Sequence, residues 1–240
     1  VKRLAAIFAH PDDETFATGG TIACYSAEGV YCSLYCATDG DAGRSSGIPV
    51  SSRAELGALR RQELRAACEV LGIQTLECGG HPDGGLHAVD PDLVIGEIVG
   101  VLRRERPDVV VTFGPEGAPT QHRDHKAISR LATAAFLLAG LATAFPEQLG
   151  GGVTPFRPRR LCYSTWRPPA PGAEPSTEGQ PIGIAVPVKD WLPRKVAAFE
   201  THRTQQQHRA HFERLALTDC EYYFVAGGAP VLAGADDLFA

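Results

Sequence analysis

No C-x-x-C pair occurs in this chain of 240 residues, although it holds seven cysteines. A disulfide scaffold or a cysteine-type structural zinc site needs paired spacing, so neither is expected. Most of these cysteines (24, 32, 36, 68, 78, 162, 220) sit in apolar stretches, where a thiol acts as a small buried hydrophobe. Reduced thiols in a cytoplasmic protein are the expectation. There is no lysine/arginine tract, and 23 Lys+Arg against 28 Asp+Glu leave a formal charge of −5. Such a balance gives no electrostatic reason to seek nucleic acid or an anionic membrane. The longest uncharged run, Leu131 to Pro146, is shorter than the roughly 20 residues of a membrane span. Val1-Lys2-Arg3-Leu4 leads straight into a short apolar strand without a signal-peptide pattern. Neither a fixed-period repeat nor a linker between two cores is visible, so one domain over 1–240 is expected.

What is present alternates strand and helix. Leu4–Ala9, Val30–Thr38, Thr75–Cys78, Asp108–Phe113, Leu161–Ser164, Ile182–Val188 and Tyr222–Val225 read as strands. Thr18–Ala27, the stretch from Ser52 to Leu71, that from Asp90 to before Pro107, Asp124–Leu141 and most of Asp190–Arg214 read as helices. Ser52 with Glu55 forms a capping box, Gly72 a stop, and Asp90-Pro91 an N-cap with proline at the first helical position. Arg167–Pro181, with five prolines and two glycines, reads as a surface loop. The order implies an α/β fold: a mostly parallel sheet with helices on both faces and ligands beyond the carboxyl ends of the strands.

Two polar clusters follow strand ends. His10-Pro11-Asp12-Asp13-Glu14 comes after the first strand, and His122-Arg123-Asp124-His125 comes after Val109–Phe113. Adjacent carboxylates at a strand end repel, and a divalent cation would relieve them. If the clusters converge, His10, Asp13 and His125 supply two nitrogens and one oxygen, leaving a position for water, as in catalytic zinc sites. Asp124 could then orient a ligand from behind, and Asp12, pointing differently from its neighbour, could serve as base. Each residue also has a plainer reading: Asp12 or Asp13 as a helix cap, His122 as a solvated loop residue.

Ala9-His10-Pro11-Asp12-Asp13-Glu14 with His122-x-Asp124-His125 resembles the LmbE-like (PIG-L) family of zinc-dependent N-acetylglucosaminyl de-N-acetylases. Thr38 to Gly43, Arg60-x-x-Glu63-Leu64, Asp83-Gly84-Gly85-Leu86 and Lys195 through His202-x-x-Gln205 extend the resemblance over roughly residues 3 to 208. It implies a Rossmann-like three-layer fold and removal of an N-acetyl group from an N-acetylglucosamine-type substrate by zinc-activated water. It casts His10, Asp13 and His125 as metal ligands, with Fe2+ or another divalent metal as the alternative to zinc. Asp12 falls on the general base, His122 on the group that stabilises the oxyanion or protonates the leaving amine, and Arg60 and Asp83 on sugar-contacting positions. The partner implied is a small N-acetylated amino sugar; a homo-oligomer stays open. Arg123 departs from a common proline, Ala118-Pro119-Thr120-Gln121 lacks the tyrosine of some members, and Thr204 replaces a serine.

Three other readings compete. His10-x-Asp12 with His125 also fits the triad of non-haem iron oxygenases, though those resemble all-β barrels. Gly43-x-Ser45-x-Gly47 matches a serine-hydrolase elbow, but Ile48-Pro49-Val50-Ser51 parts it from the next helix. A non-catalytic sugar- or nucleotide-binding module would lack a use for the paired aspartates, and neither G-x-G-x-x-G nor a P-loop follows a strand. His81, His87, His208 and His211 are expected on surfaces or loops, and His202 gains weight from the resemblance alone.

Overall fold

Val109–Phe113, apolar or β-branched at every position, forms a strand with all five residues buried, as a parallel strand covered on both faces requires. The computed structural model describes residues 1–166 and 179–240; most of the loop expected at 167–181 lies outside them. In chain order the described elements are β1 (Arg3–Phe8), α1 (Asp13–Ala27), β2 (Tyr31–Thr38), α2 (Arg53–Leu71), β3 (Thr75–His81), α3 (Pro91–Glu105), β4 (Val109–Phe113), α4 (Arg123–Leu138), β5 (Arg160–Thr165), β6 (Ile184–Pro187), α5 (Leu192–Thr201), α6 (Arg209–Leu215) and β7 (Cys220–Gly228). They build a seven-stranded sheet in the order β3-β2-β1-β4-β5-β7-β6. β1 to β5 run parallel, and β7 is antiparallel to both β5 and β6.

The sheet grows from β1 toward β3 in one direction and from β4 toward β5 in the other. Right-handed crossovers then put the helices of the two halves on opposite faces. α1, α2 and α5 pack on one another, and α3 packs on α4. The α/β architecture is therefore a three-layer one. Between β1 and β4 the direction of growth reverses, and open α/β sheets bind ligands in the crevice beyond such a point. Both polar clusters lie there.

Local signals explain most boundaries. The Ser52 side chain accepts from the Glu55 N–H at 3.1 Å, while Glu55 reaches back to the Ser51 N–H at 2.6 Å. Gly72 ends α2 at φ 82°, left-handed backbone that suits glycine. The Asp90 side chain accepts from Asp92 N–H at 3.0 Å.

The helices differ from expectation in two stretches. α1 starts at Asp13, five residues before Thr18, and Thr18 itself is non-helical at φ −151° and ψ 15°. The helix is thus two pieces. Glu221 of β7 caps the second piece, accepting from the Gly20 and Thr21 N–H groups at 2.8 Å each. Buried Lys195 donates to Glu221 at 2.5 Å and to the Phe16 carbonyl at 3.1 Å. Composition showed only the second piece, because the first is made of motif residues.

The second difference is in Asp190–Arg214, which is broken at His202 (φ −77°, ψ 64°) into α5, a tight turn over Arg203–His208, and α6. Here Thr204 gives both its N–H and its hydroxyl to Glu63, at 2.9 and 2.6 Å. A continuous helix would have spent that N–H on its own carbonyls. Ile182, expected in the sixth strand, precedes it and is 41% exposed.

All seven cysteines are free, four of them buried. Among the described residues no helix is long and apolar enough to cross a membrane. Glu221→Ala would leave the Lys195 ammonium buried without its anion and the inner helix start uncapped. Such a loss typically costs about 3–5 kcal/mol, and denaturant unfolding should show a lower midpoint and a stability loss of that size. An unchanged midpoint would mean that the pair is energetically idle.

Candidate functional site

β1 ends at Phe8 and the chain turns at once through His10-Pro11-Asp12 into α1. Asp13 organises this turn from inside: its Oδ2 accepts from the Ala9 and His10 N–H groups at 3.2 and 2.8 Å. The same carboxylate meets two imidazoles, with His10 Nδ1 3.3 Å from Oδ2 and His125 Nε2 3.1 Å from Oδ1. His125 lies in the first turn of α4, its ring stacked on Phe113 at 4.1 Å between centroids. The two clusters do converge.

The far nitrogens of both imidazoles are held. His10 Nε2 faces Asp83 Oδ1 at 3.1 Å and Asp124 Oδ2 at 3.4 Å, and His125 Nδ1 faces Thr120 Oγ1 at 3.3 Å. His10 therefore turns Nδ1, and His125 turns Nε2, toward Asp13. Ligand atoms on a tetrahedral ion at about 2.0–2.1 Å lie roughly 3.3–3.4 Å apart, close to the spacings seen. An imidazole lone pair facing a carboxylate needs a proton or a cation between them. Burial opposes charge on His10, yet Asp13, Asp124 and Asp83 outweigh it and hold its pKa well above the imidazole norm. Burial likewise would raise Asp13, but His125 and His10 hold it far below the usual carboxylate range. The donor set fits a divalent cation.

A cleft of about 250 Å³ opens over these groups, lined also by Asp12, Arg60, Asp83 and His122. Asp12 makes no side-chain cap bond to α1; its nearest charged partner is Arg60 Nη2 at 3.5 Å. Burial pushes the Asp12 carboxyl up to about 6, Asp13 and Glu14 adding to the rise while Arg60 and His202 oppose it. Its backbone is left-handed, φ 99° and ψ −25°, a conformation that costs a non-glycine residue roughly 1–3 kcal/mol. His122 caps α4: its Nδ1 accepts the Asp124 N–H at 3.2 Å, so the neutral ring carries its proton on Nε2. Burial, with His10 and His125, lowers the His122 pKa and favours that neutral form.

Asp124, Asp83 and Arg60 are engaged with the protein itself. Asp124 is fully buried and does not line the cleft; besides facing His10, it accepts from the Gly84 and Leu86 N–H groups at 2.6 and 3.2 Å. Asp83 Oδ2 accepts the Ala42 N–H at 2.9 Å. Arg60 donates to the Gly40 carbonyl at 2.7 Å and the Pro11 carbonyl at 2.6 Å, tying two loops together. A side chain at Gly40, where φ is 65°, would collide with that guanidinium.

Several contributors escaped the sequence reading. Glu14 is buried and bonds both Asp12 N–H and His202. Thr120 supports His125 in the loop noted above only for lacking a tyrosine. Phe16, Trp166, Gln205, His208 and His211 line the outer cleft; His208 is exposed, as expected, and His211 is half-buried in α6. His81 is buried against Glu97 at 2.8 Å, correcting its surface assignment. His87 is exposed, as expected. Ser45 lies in a loop well before α2, so no strand-to-helix elbow forms around it.

Over 99% of its length the chain is 32% identical to a 1D-myo-inositol 2-acetamido-2-deoxy-alpha-D-glucopyranoside deacetylase of Rhodococcus erythropolis, covering 97% of that protein. An N,N'-diacetylchitobiose deacetylase from Pyrococcus horikoshii superposes with a TM-score of 0.76 at 23% identity, over 93% of this chain and 83% of that one. A 4-carboxy-2-hydroxymuconate hydratase from Pseudomonas putida reaches the same TM-score at 19% identity, over 98% of this chain and 100% of its own. These two structures show a shared fold, and their different reactions show that the fold alone does not fix chemistry. The family model described as PIG-L, GlcNAc-PI de-N-acetylase, matches residues 5–136, a span that holds both polar clusters. With that match and the full-length relative, the chain belongs to the PIG-L family.

Proposed function

We propose that this chain is a zinc-dependent hydrolase that removes the N-acetyl group from an N-acetylglucosamine-type substrate. The observation carrying this reading is the open trio His10, Asp13 and His125, with a second carboxylate, Asp12, beside it in the cleft and bonded to neither imidazole. Zinc bound there would supply Lewis acidity, polarising an amide carbonyl and making water more acidic.

The remaining work falls to side chains. Asp12 takes the proton of the attacking water as general base. His122, its proton on Nε2, donates to the developing oxyanion and so favours the tetrahedral geometry over the planar amide. The proton held by Asp12 can then pass to the leaving nitrogen. Asp124 and Asp83 keep the His10 ring turned toward the metal position. Arg60 and Asp83 border the space for the sugar. The family description and the relatives' names share the N-acetylglucosamine unit and differ in what is attached to it.

The direct test is acetate release by the zinc-loaded protein from N-acetylglucosamine, its 1D-myo-inositol glycoside and N,N'-diacetylchitobiose. Acetate should appear with at least one, vanish with chelator and return with zinc. No acetate from any of them would overturn the reading, as would a chelator-insensitive reaction. Hydration chemistry would release none.

We also read the protein as a cytoplasmic enzyme of one domain, supported by seven free thiols and by one sheet carrying the main core. Mild reductant should leave folding and turnover unchanged. Activity lost in reductant and regained on oxidation would refute this.

A further inference from the structure

We infer that Glu14 and His202 are positioning residues that, together with Arg60, pin one peptide group and thereby hold Asp12 in its left-handed turn. The group is the Pro11–Asp12 peptide. Its carbonyl oxygen accepts from Arg60 Nη2 at 2.6 Å, and its N–H donates to Glu14 Oε2 at 3.0 Å. Both ends of one rigid plane are thus fixed by buried charged side chains.

The pinning matters because the plane has a more comfortable alternative. Turning it over by about 180° would take Asp12 from φ 99° to 99 − 180 = −81° with ψ still near −25°, an ordinary right-handed conformation. The intrinsic preference of an L-residue therefore favours the turn that Glu14 and Arg60 prevent. In the flipped state the carbonyl would leave Arg60 and the N–H would leave Glu14. The two Cα atoms would stay in place while the Asp12 nitrogen swung across the line joining them, so the Asp12 Cα–Cβ bond would tilt and shift the carboxylate in the cleft.

His202 acts one step further back. It is fully buried, and its Nε2 lies 2.8 Å from Glu14 Oε1, which also accepts the Thr15 hydroxyl at 2.6 Å. Among the described residues its other ring nitrogen has no hydrogen-bond partner, so the ring's polar role is spent on Glu14. The break after α5 is what turns His202 inward. A segment nearly 190 residues away in sequence thereby fixes the rotamer of the side chain that holds Asp12.

The catalytic consequence rests on the deacetylase reading; the pinned peptide does not. The test combines crystal structures of zinc-free variants with zinc content, kcat and KM. Glu14→Ala should let Asp12 relax to negative φ, keep wild-type zinc content, and lower kcat by on the order of 10²-fold with KM little changed. Glu14→Gln retains an oxygen for the Asp12 N–H and should restore the left-handed turn and most of the rate. His202→Ala should lower kcat by about tenfold alone and add nothing to Glu14→Ala, because it acts through that residue. If Glu14→Ala does not fold, His202→Ala and Glu14→Gln carry the test. A left-handed Asp12 in Glu14→Ala, an unchanged kcat in His202→Ala, or multiplying effects in the double variant would overturn the proposal. Were the wild type to release no acetate, the deacetylase reading would fail while the crystal structures still decided the peptide.

Discussion

Asp12→Asn should keep about one zinc per chain while kcat drops by roughly 10²–10⁴-fold, the usual worth of a positioned general base. The zinc stays because none of the three proposed ligand side chains is touched. Asp12 forms no ion pair with either imidazole of the trio, and its closest charged neighbour is Arg60 at 3.5 Å. The rate falls because an amide oxygen cannot take and hold the water's proton. KM should change little, since the amide fills the same volume against Arg60 and the cleft wall. A loss confined to kcat with zinc intact marks an interaction made in the transition state. Loss of zinc in Asp12→Asn with zinc retained in Asp13→Asn would show that base and ligand have been exchanged.

The second large effect is expected at the ligands. His125→Ala and Asp13→Ala should each take zinc from about one per chain to none, and acetate release to background. Asp13 is the more damaging loss in geometric terms. It bridges both imidazoles and also receives two backbone N–H groups of the turn after β1. His125→Ala, by contrast, leaves that turn intact and removes one donor, so it is the cleaner test. Asp124→Asn should fall between, weakening metal binding by about 10–100-fold, as groups behind a ligand commonly do. Elemental analysis of the purified variants reads all three. Stoichiometric zinc in His125→Ala would sink the ligand set.

How much of this was written in the chain order depends on the kind of signal. β4 could be read from five apolar or β-branched residues, because a strand buried on both faces has no polar side to show. The ends of α2 and α3 were legible because Ser52, Gly72 and Asp90 each do a local job. Convergence of the two clusters could be foreseen because the carboxyl ends of parallel strands share one side of the sheet. β7 was harder. Its placement between β5 and β6 reverses direction and skips a neighbour, and nothing in a short apolar run states a pairing partner. Glu14 and Thr120 were missed because their contribution lies in partners: Glu14 needs His202, and Thr120 needs the ring of His125. Arg60 was recognised as a position, but its engagement with Gly40 and Pro11 is a matter of loop packing.

The capping of the inner half of α1 by Glu221 bears on when the centre can exist during synthesis. A ribosome delivers His10 to Asp13 early and His122 to His125 midway. The carboxylate that seats the helix behind the first motif arrives only with β7, 200 residues after the helix start that it caps. Among the described strands β6 joins the sheet through β7, so that flank also waits. A nascent chain holding every proposed ligand and the proposed base would still lack the support for its first motif. Assembly of the proposed metal centre would thereby wait for β7, although its proposed ligands are made long before.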